Sequence, residues 1–324
     1  MHGASENDAD LAWPGLLQRL LRKVIRRGRM SWYNLSNLNA ELLALASCIA
    51  GQTDIVHFLE GERSGLFLPR FLRLAHLSKI RTLVTFHQPP EILREAVNED
   101  LLQWVDQIIL VSPSQLPFFL PHVPKDRLQV LLHGVDVEFF YPPVSRQDPI
   151  DFRCVTVGRW LREWNVLRQV VSALPEVRFD VVTGAETGLA GFHNVHIHRG
   201  IDDGALADLY RSADVLLLPL IDSTANNALL EGMASGLPVV ATDLPALRAY
   251  LPEGGVLVPD NSIEGFVTGL QWLQQDISVR HAMGRSARAR AEELAWPRVV
   301  RQYETLYTNV LCRAPAKADR NQGY

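Results

Sequence analysis

The sequence predicts an α/β protein with two Rossmann-like, doubly wound parallel sheets that face a cleft. Short apolar runs alternate with helical patterns, and most runs are uninterrupted, as in parallel strands covered on both faces. A proline-rich segment divides the runs into two series. At 324 residues, 47% of them hydrophobic, the chain is long enough to build two cores. Ligands of such sheets bind at the carboxyl ends of the strands.

The apolar runs define the expected strands in order. The first series covers 54–59, 81–86, 106–111 and 128–132, and the second covers 152–157, 177–183, 194–198, 214–219, 237–242 and 254–259. Between two of these runs, the pattern of 202–213 predicts a helix that Asp202 or Asp203 can cap. We expect an acidic, flexible tail (1–12), an N-terminal domain (13–141), a linker (142–150), a C-terminal domain (151–295), a helix packing back toward the N-terminal domain (296–312) and a disordered tail (313–324).

Composition excludes several classes of function. A formal net charge of -4 argues against bulk nucleic-acid binding, which needs a basic surface. Cys48, Cys154 and Cys312 are odd in number and lack C-x-x-C spacing, so neither a disulfide framework nor a zinc site is indicated. The first ten residues are acidic, unlike a signal peptide, and no apolar run reaches the length of a spanning helix. We therefore expect a cytoplasmic protein.

One stretch, STANNALLEGMASGLPVVATD (223–243), carries the first sign of a site. It predicts a helix from about Asn226 to Ser235 with Gly236 as its left-handed stop, directly after the strand run 214–219. The N-terminus of that helix would lie at the carboxyl end of a parallel strand, where free N–H groups bind anions such as phosphate. Thr224 and Asn226 can either cap the helix or donate to a phosphate oxygen.

A single carboxylate, Glu231, lies inside this apolar helix. It shares a face with Asn227, one turn deeper, while its neighbours Ala228, Leu229 and Leu230 are apolar. A buried carboxylate needs a partner, and a ribose diol offers two donors to it. The alternative is a structural glutamate that faces solvent.

The same stretch resembles the donor-binding segment of the retaining glycosyltransferases of family 4, which have the GT-B fold. The resemblance includes HGVDVEFFYPP (133–143), VTVGRW (155–160), SADVLLLPL (212–220) and WPRVVRQYETLY (296–307), and covers about 54–311. It implies transfer of a sugar from a nucleotide sugar, UDP- or GDP-linked, with the anomeric configuration retained. The C-terminal domain would bind this donor, and the N-terminal domain a glycan, lipid-linked or small-molecule acceptor.

The resemblance also implies roles for individual residues. Arg159 matches the arginine that contacts the donor diphosphate, Glu231 the ribose-binding glutamate, and His87 in TFHQPP a histidine near the sugar. A surface arginine, a loop histidine and a plain turn at Gly134 are the structural alternatives. The predicted catalytic residues are thus His87, Arg159 and Glu231, and the predicted donor-binding residues are Gly134, Gly158, Trp164, Ser223, Thr224, Asn226 and Asn227.

Two positions depart from the family pattern. Trp164 stands where the family usually has a lysine, and Ser223 where it usually has a first glutamate. No convincing Asp-x-Asp site compensates, since the acidic triplet 8–10 lies in the tail. We expect a metal-independent enzyme without a cofactor. A nucleotide-sugar-binding or scaffold protein with impaired catalysis remains an alternative, as does another GT-B enzyme such as a sugar-nucleotide epimerase.

The N-terminal part departs further, because helical patterns precede the first clear strand at 54. The usual first strand and glycine-rich loop are either absent or encoded upstream of Met1. The stretch WPGLLQRLLRKVIRRGR (13–29) predicts a basic amphipathic helix. Such a helix suits the anionic inner face of a membrane, and the alternative is an ordinary helix that covers the sheet. The family resemblance implies a role in polysaccharide biosynthesis.

Overall fold

The computed structural model describes residues 13–77, 79–144, 151–251 and 253–313. The contacts divide the chain into two units, Met1–Leu131 with Arg301–Tyr324 and Leu132–Val300. Each unit contains one parallel sheet flanked by helices, which confirms the predicted α/β class with two parallel sheets. The predicted tail over 1–12, nearly all of the tail over 313–324 and most of the predicted linker lie outside the described residues.

The first unit has a four-stranded sheet in the order β1-β2-β3-β4, and every neighbouring pair is parallel. In the described residues two helices precede its first strand, as predicted. Its elements are α1 (Gly15–Arg27), α2 (Leu35–Ile49), β1 (Ile55–Phe58), α3 (Leu68–Leu74), β2 (Arg81–Phe86), α4 (Pro90–Ala96), β3 (Gln107–Leu110), α5 (Leu116–Phe119) and β4 (Leu128–Val130).

The core of this unit forms around β2 and β3, whose residues are all buried. A helix near the C-terminus (Trp296–Cys312) contributes to this core, because its residues Leu306 and Val310 pack with Leu83 and Ile109 on one face of the sheet. His57 of β1 fixes this packing through its two ring nitrogens: Nδ1 lies 2.8 Å from the Tyr307 hydroxyl, and Nε2 lies 2.7 Å from the Thr85 hydroxyl.

The second unit has a six-stranded sheet in the order β10-β9-β8-β5-β6-β7, again wholly parallel. Its last helix, α12, begins in this unit and ends in the first. The elements are β5 (Arg153–Val157), α6 (Trp164–Ala173), β6 (Arg178–Val182), β7 (Val195–His198), α7 (Asp203–Ser212), β8 (Val215–Leu218), α8 (Asn227–Ala234), β9 (Val239–Thr242), α9 (Pro245–Tyr250), β10 (Gly255–Val258), α10 (Ile263–Gln275), α11 (Ile277–Glu293) and α12 (Trp296–Cys312).

The strand order of this sheet reverses between β5 and β8. From β5 the chain proceeds outward through β6 and β7, then returns to the other side of β5 and proceeds outward through β8, β9 and β10. The helices that follow the two strands at this reversal, α6 and α8, pack on opposite faces of the sheet. The carboxyl ends of the two strands at such a reversal are where sheets of this kind bind ligands.

The predicted elements of the second unit agree with those observed. Each apolar run contains a strand whose ends lie within two residues of the run, since a parallel strand buried on both faces reads as a continuous apolar segment. α7 begins at Asp203 and is capped by the Asp202 side chain, and α12 covers the predicted residues 296–312.

Candidate functional site

The loop over 158–163, after β5, and the loop over 219–226, after β8, are joined to each other. We call this pair of loops the frame. The Glu163 N–H donates to the Pro219 carbonyl at 3.0 Å, and the Ile221 N–H donates to the Leu161 carbonyl at 2.9 Å. An antiparallel bridge between Arg162 and Leu220 lies between these two bonds. The loop over 158–163 and the loop over 219–226 are therefore held in register by backbone hydrogen bonds.

The loop after β5 begins with Gly158 and Arg159. Gly158 has φ +106°, and a Cβ at this position would lie 2.5 Å from the Arg162 guanidinium, so the turn requires glycine. The Arg159 side chain is exposed and makes no hydrogen bond or ion pair with the residues that the structure describes. Such a cation at the rim of the crevice can contact an anionic ligand, which is the predicted role of Arg159.

Arg162 is a residue of this loop that the sequence analysis missed. It is only 9% exposed, and its guanidinium donates to the Val157 carbonyl at 2.6 Å and 2.9 Å and to the Trp160 carbonyl at 3.0 Å. A longer hydrogen bond of 3.4 Å joins it to Oδ1 of Asn226. An arginine in a loop is normally exposed, so the local sequence does not indicate this burial.

The helix predicted after β8 is confirmed. α8 covers Asn227–Ala234, Ser235 is its C-cap, and Gly236 follows with φ +71°. Asn226 is its N-cap, and the side-chain Oδ1 accepts the Leu229 N–H at 3.2 Å. Because this oxygen caps the helix, the amide nitrogen of Asn226 is the part of the side chain able to donate to a ligand. Asn227 is exposed in the first turn.

Ser223 and Thr224, three and two residues before the N-cap Asn226, are buried at 5% and 4% exposure. The Ser223 N–H donates to the carboxylate of the preceding Asp222 at 2.7 Å. Ser223 brings a neutral hydroxyl to the position where the family pattern has a carboxylate. Donor contacts of Ser223 and Thr224 stay predictions.

Glu231 lies half-buried on α8 and has a fixed partner. The hydroxyl of Tyr210, a fully buried residue of α7, donates to Glu231 Oε2 at 2.9 Å. Burial raises the pKa of the Glu231 carboxyl, the Tyr210 hydrogen bond opposes this rise, and the Asp203 charge adds to it. A solvent-facing glutamate, the alternative interpretation, is therefore wrong. One carboxylate oxygen is oriented by Tyr210, and the other is left to accept from a ligand hydroxyl.

Two predicted donor-binding residues have a packing role in the structure. Trp164, the first residue of α6, is partly buried against the core that includes Leu167 and Val170. Gly134 is buried, and a Cβ there would lie 2.6 Å from the Trp296 ring, so this ring requires the glycine. Both residues thus serve the packing of the second unit, and their contacts with a donor stay predictions.

His87 belongs to the first unit, whereas the other predicted site residues belong to the second. It directly follows β2, and its ring is half-buried. The buried Glu62 carboxylate holds the backbone of this turn by accepting the N–H groups of His87 at 2.6 Å and Gln88 at 2.7 Å. The turn is thus fixed by a carboxylate, and the catalytic role of the ring stays a prediction.

Within the described ranges, no group of three or more His, Cys, Asp or Glu side chains is placed to hold a metal ion. In the same part of the chain, no helix combines the length and the apolar character needed to cross a membrane.

Comparison with known proteins identifies a family that this chain resembles. Residues 144–276 match the family model described as "Glycosyl transferases group 1". The D-inositol 3-phosphate glycosyltransferase of Paenarthrobacter aurescens is 26% identical over 257 residues, which cover 68% of this chain and 62% of that protein. The chain thus spans less than two thirds of the length of this relative.

Two solved structures share the fold. Sucrose-phosphate synthase from Thermosynechococcus elongatus superposes with a TM-score of 0.72 at 18% identity, over 96% of this chain and 83% of that one. HepE from Anabaena, solved in complex with UDP, gives 0.66 at 16% identity, over 83% and 82% of the two chains. These two likenesses show the GT-B fold, and the family-model match over residues 144–276 confirms the resemblance to group 1 glycosyltransferases.

Proposed function

We propose that this chain is a retaining glycosyltransferase that moves a sugar from a nucleotide-sugar donor to a glycan, lipid-linked or small-molecule acceptor. The observation that carries the proposal is the frame at the β5/β8 reversal. It combines an exposed arginine without a partner in the described chain (Arg159), the N-terminus of α8, and a carboxylate oriented for a diol (Glu231). A nucleoside diphosphate presents the matching groups, two phosphates and a ribose, in the same order.

The chemistry follows from these groups. The bond between the anomeric carbon and the diphosphate oxygen breaks, and the leaving diphosphate takes the bonding electrons. The acceptor oxygen bonds to the same face of the anomeric carbon, and its proton passes to the leaving diphosphate. Arg159 and the N–H groups of α8 stabilise the charge that develops on the diphosphate. In this proposal, Arg159 and the N–H groups of α8 stabilise the diphosphate charge that a metal ion stabilises in metal-dependent transferases. The proposed reaction is therefore metal-independent.

The names of relatives support the class of donor. One relative is named as a glycosyltransferase, and HepE was solved with UDP. We therefore take a UDP- or GDP-linked sugar as the donor and the cytoplasm as the compartment, since nucleotide sugars are made there.

A donor-turnover assay tests the proposal. The chain is incubated with UDP-, GDP- and ADP-sugars with and without a chelator, and released nucleoside diphosphate is measured; proton NMR of the sugar product reports the anomeric configuration. Release from one donor, insensitive to the chelator and with a retained anomer, is expected. Tight binding of a nucleotide sugar without release would instead identify the impaired binding protein, which Trp164 and Ser223 favour through the missing lysine and glutamate.

We further propose that α1 binds an anionic membrane surface. Leu16, Leu20 and Val24 form an outer stripe on α1 with exposures of 73%, 54% and 46%, while Leu21 and Ile25 pack on the first unit. The range 13–29 carries six Arg or Lys residues and no Asp or Glu. Only one side of the helix is used in packing, so the outer stripe and its basic neighbours can enter the headgroup region of an anionic leaflet.

A further inference from the structure

We infer that Arg162 supplies the second positive charge that holds the donor diphosphate. The inference rests on the proposed function and assigns a further residue of the same site. The family pattern places a lysine at position 164, where this chain has tryptophan, so one cation is absent from the sequence pattern. Arg162 lies two residues before position 164, in the loop over 158–163 that forms part of the candidate site.

The Arg162 guanidinium is a buried charge without a counter-charge among the described residues. All hydrogen-bond acceptors of the Arg162 guanidinium are neutral: the carbonyls of Val157 and Trp160 and the amide oxygen of Asn226. In the described part of the chain no carboxylate forms an ion pair with it. Two other buried arginines differ, since Arg280 pairs with Asp214 and Arg81 pairs with Asp106.

A buried charge is costly unless another charge is close to it. Burial lowers the pKa of the Arg162 guanidinium to about 10, so the group still carries its proton at neutral pH. The site therefore has a fixed positive charge whose natural complement is an anionic ligand.

This charge lies next to the N-terminus of α8. Oδ1 of Asn226 accepts from both the Arg162 guanidinium and the Leu229 N–H, so the guanidinium lies directly beside the first turn of α8. The helix N-terminus carries a partial positive charge of its own. Two positive groups that meet at one point suit a ligand with more than one negative charge, such as a diphosphate.

Arg162 also stabilises the loop through hydrogen bonds to its backbone. Its guanidinium binds the carbonyls of Val157 and Trp160, which lie on the two sides of Arg159 in the chain. Arg162 thereby fixes the backbone that presents the exposed Arg159. Loss of its charge and loss of this hold have different consequences for a ligand, and this difference makes the inference testable.

The test compares Arg162→Met and Arg162→Lys with the parent by calorimetric titration. The ligands, each titrated separately, are inorganic pyrophosphate, UDP and GDP. Uridine and guanosine serve as references that lack the diphosphate. Arg285→Met is the control, because it removes one positive charge from an exposed position of the same unit. We expect Arg162→Met to lower the affinity for pyrophosphate and for the nucleoside diphosphate at least tenfold. Its affinity for the nucleoside should stay within threefold of the parent's. Arg162→Lys keeps the charge and should retain more of the pyrophosphate affinity, and Arg285→Met should match the parent.

Pyrophosphate affinity within threefold of the parent in a folded Arg162→Met would overturn the inference. Equal losses for nucleoside and diphosphate would overturn it as well, because that result describes a purely structural arginine. The outcome for the proposed function is separate: Arg162-dependent pyrophosphate binding without turnover of any nucleotide sugar would leave the anion site standing and reject the transferase.

Discussion

Replacing Glu231 by glutamine is expected to lower the affinity for the nucleoside diphosphate about 10- to 100-fold. In the parent, Tyr210 donates to Oε2, and Oε1 is left for a ribose hydroxyl. A glutamine has one acceptor oxygen, and the Tyr210 hydroxyl competes for it, so an NH2 group would face the diol. Hydrogen bonds to a charged acceptor are worth about 1.5–3 kcal/mol each, and a net loss of about 1.4–2.8 kcal/mol gives this range.

Calorimetric titration of a double-mutant cycle tests this prediction. The ribonucleotide and its 2′- or 3′-deoxy analogue are titrated into the parent and into Glu231→Gln, and the preference for ribose should shrink in the variant. Glu264→Gln removes the same charge at an exposed position of α10 and serves as the control. An unchanged ribose preference in Glu231→Gln would show that this carboxylate is structural and that its assignment from the family pattern is wrong.

Three further predictions concern separate parts of the molecule. Arg159→Ala should lower kcat by about 2–4 kcal/mol of transition-state stabilisation, the range for losing one electrostatic donor, and turnover within threefold of the parent would reject its role. Changing the outer stripe of α1 to glutamine should abolish sedimentation with anionic liposomes, which in the parent should weaken with salt; equal binding of the parent to neutral vesicles would contradict the membrane proposal. Burial lowers the pKa of His57 from 6.5 to about 4, so the stability that neutral His57 contributes is present above pH 6.5 and is lost as pH falls toward 4. The expected loss is about 3 kcal/mol, visible as a steeper acid dependence of unfolding in the parent than in His57→Gln, and identical pH profiles would contradict it.

The strands were predictable because their chemistry is local. A parallel strand buried on both faces needs a continuous apolar segment, and the run 81–86 coincides with β2. The ends of α8 were predictable for the same reason, since Asn226 supplies a cap and Gly236 the left-handed stop within the segment itself.

The features that were missed depend on contacts distant in the chain. Arg162 is buried because the turn at Gly158 and Leu161, both with positive φ, folds its side chain under the loop. Tyr210 donates to Glu231 from another helix, so the sequence around either residue does not predict their hydrogen bond.

The same holds for Glu41 of the first unit. This buried carboxylate accepts four successive N–H groups, those of residues 65–68, at 2.7–3.0 Å. Nothing in the sequence near Glu41 or near the loop signals that contact, because a charged residue in a helical pattern ordinarily predicts an exposed position.

The proposed donor site is best tested by a crystal structure with the nucleoside diphosphate that most stabilises the chain in a thermal-unfolding screen. We expect ribose hydroxyls within hydrogen-bond distance of Glu231, and phosphates between the loop over 158–163 and the first turn of α8. A nucleotide bound away from this frame, or bound there with its ribose turned from Glu231, would contradict this proposal.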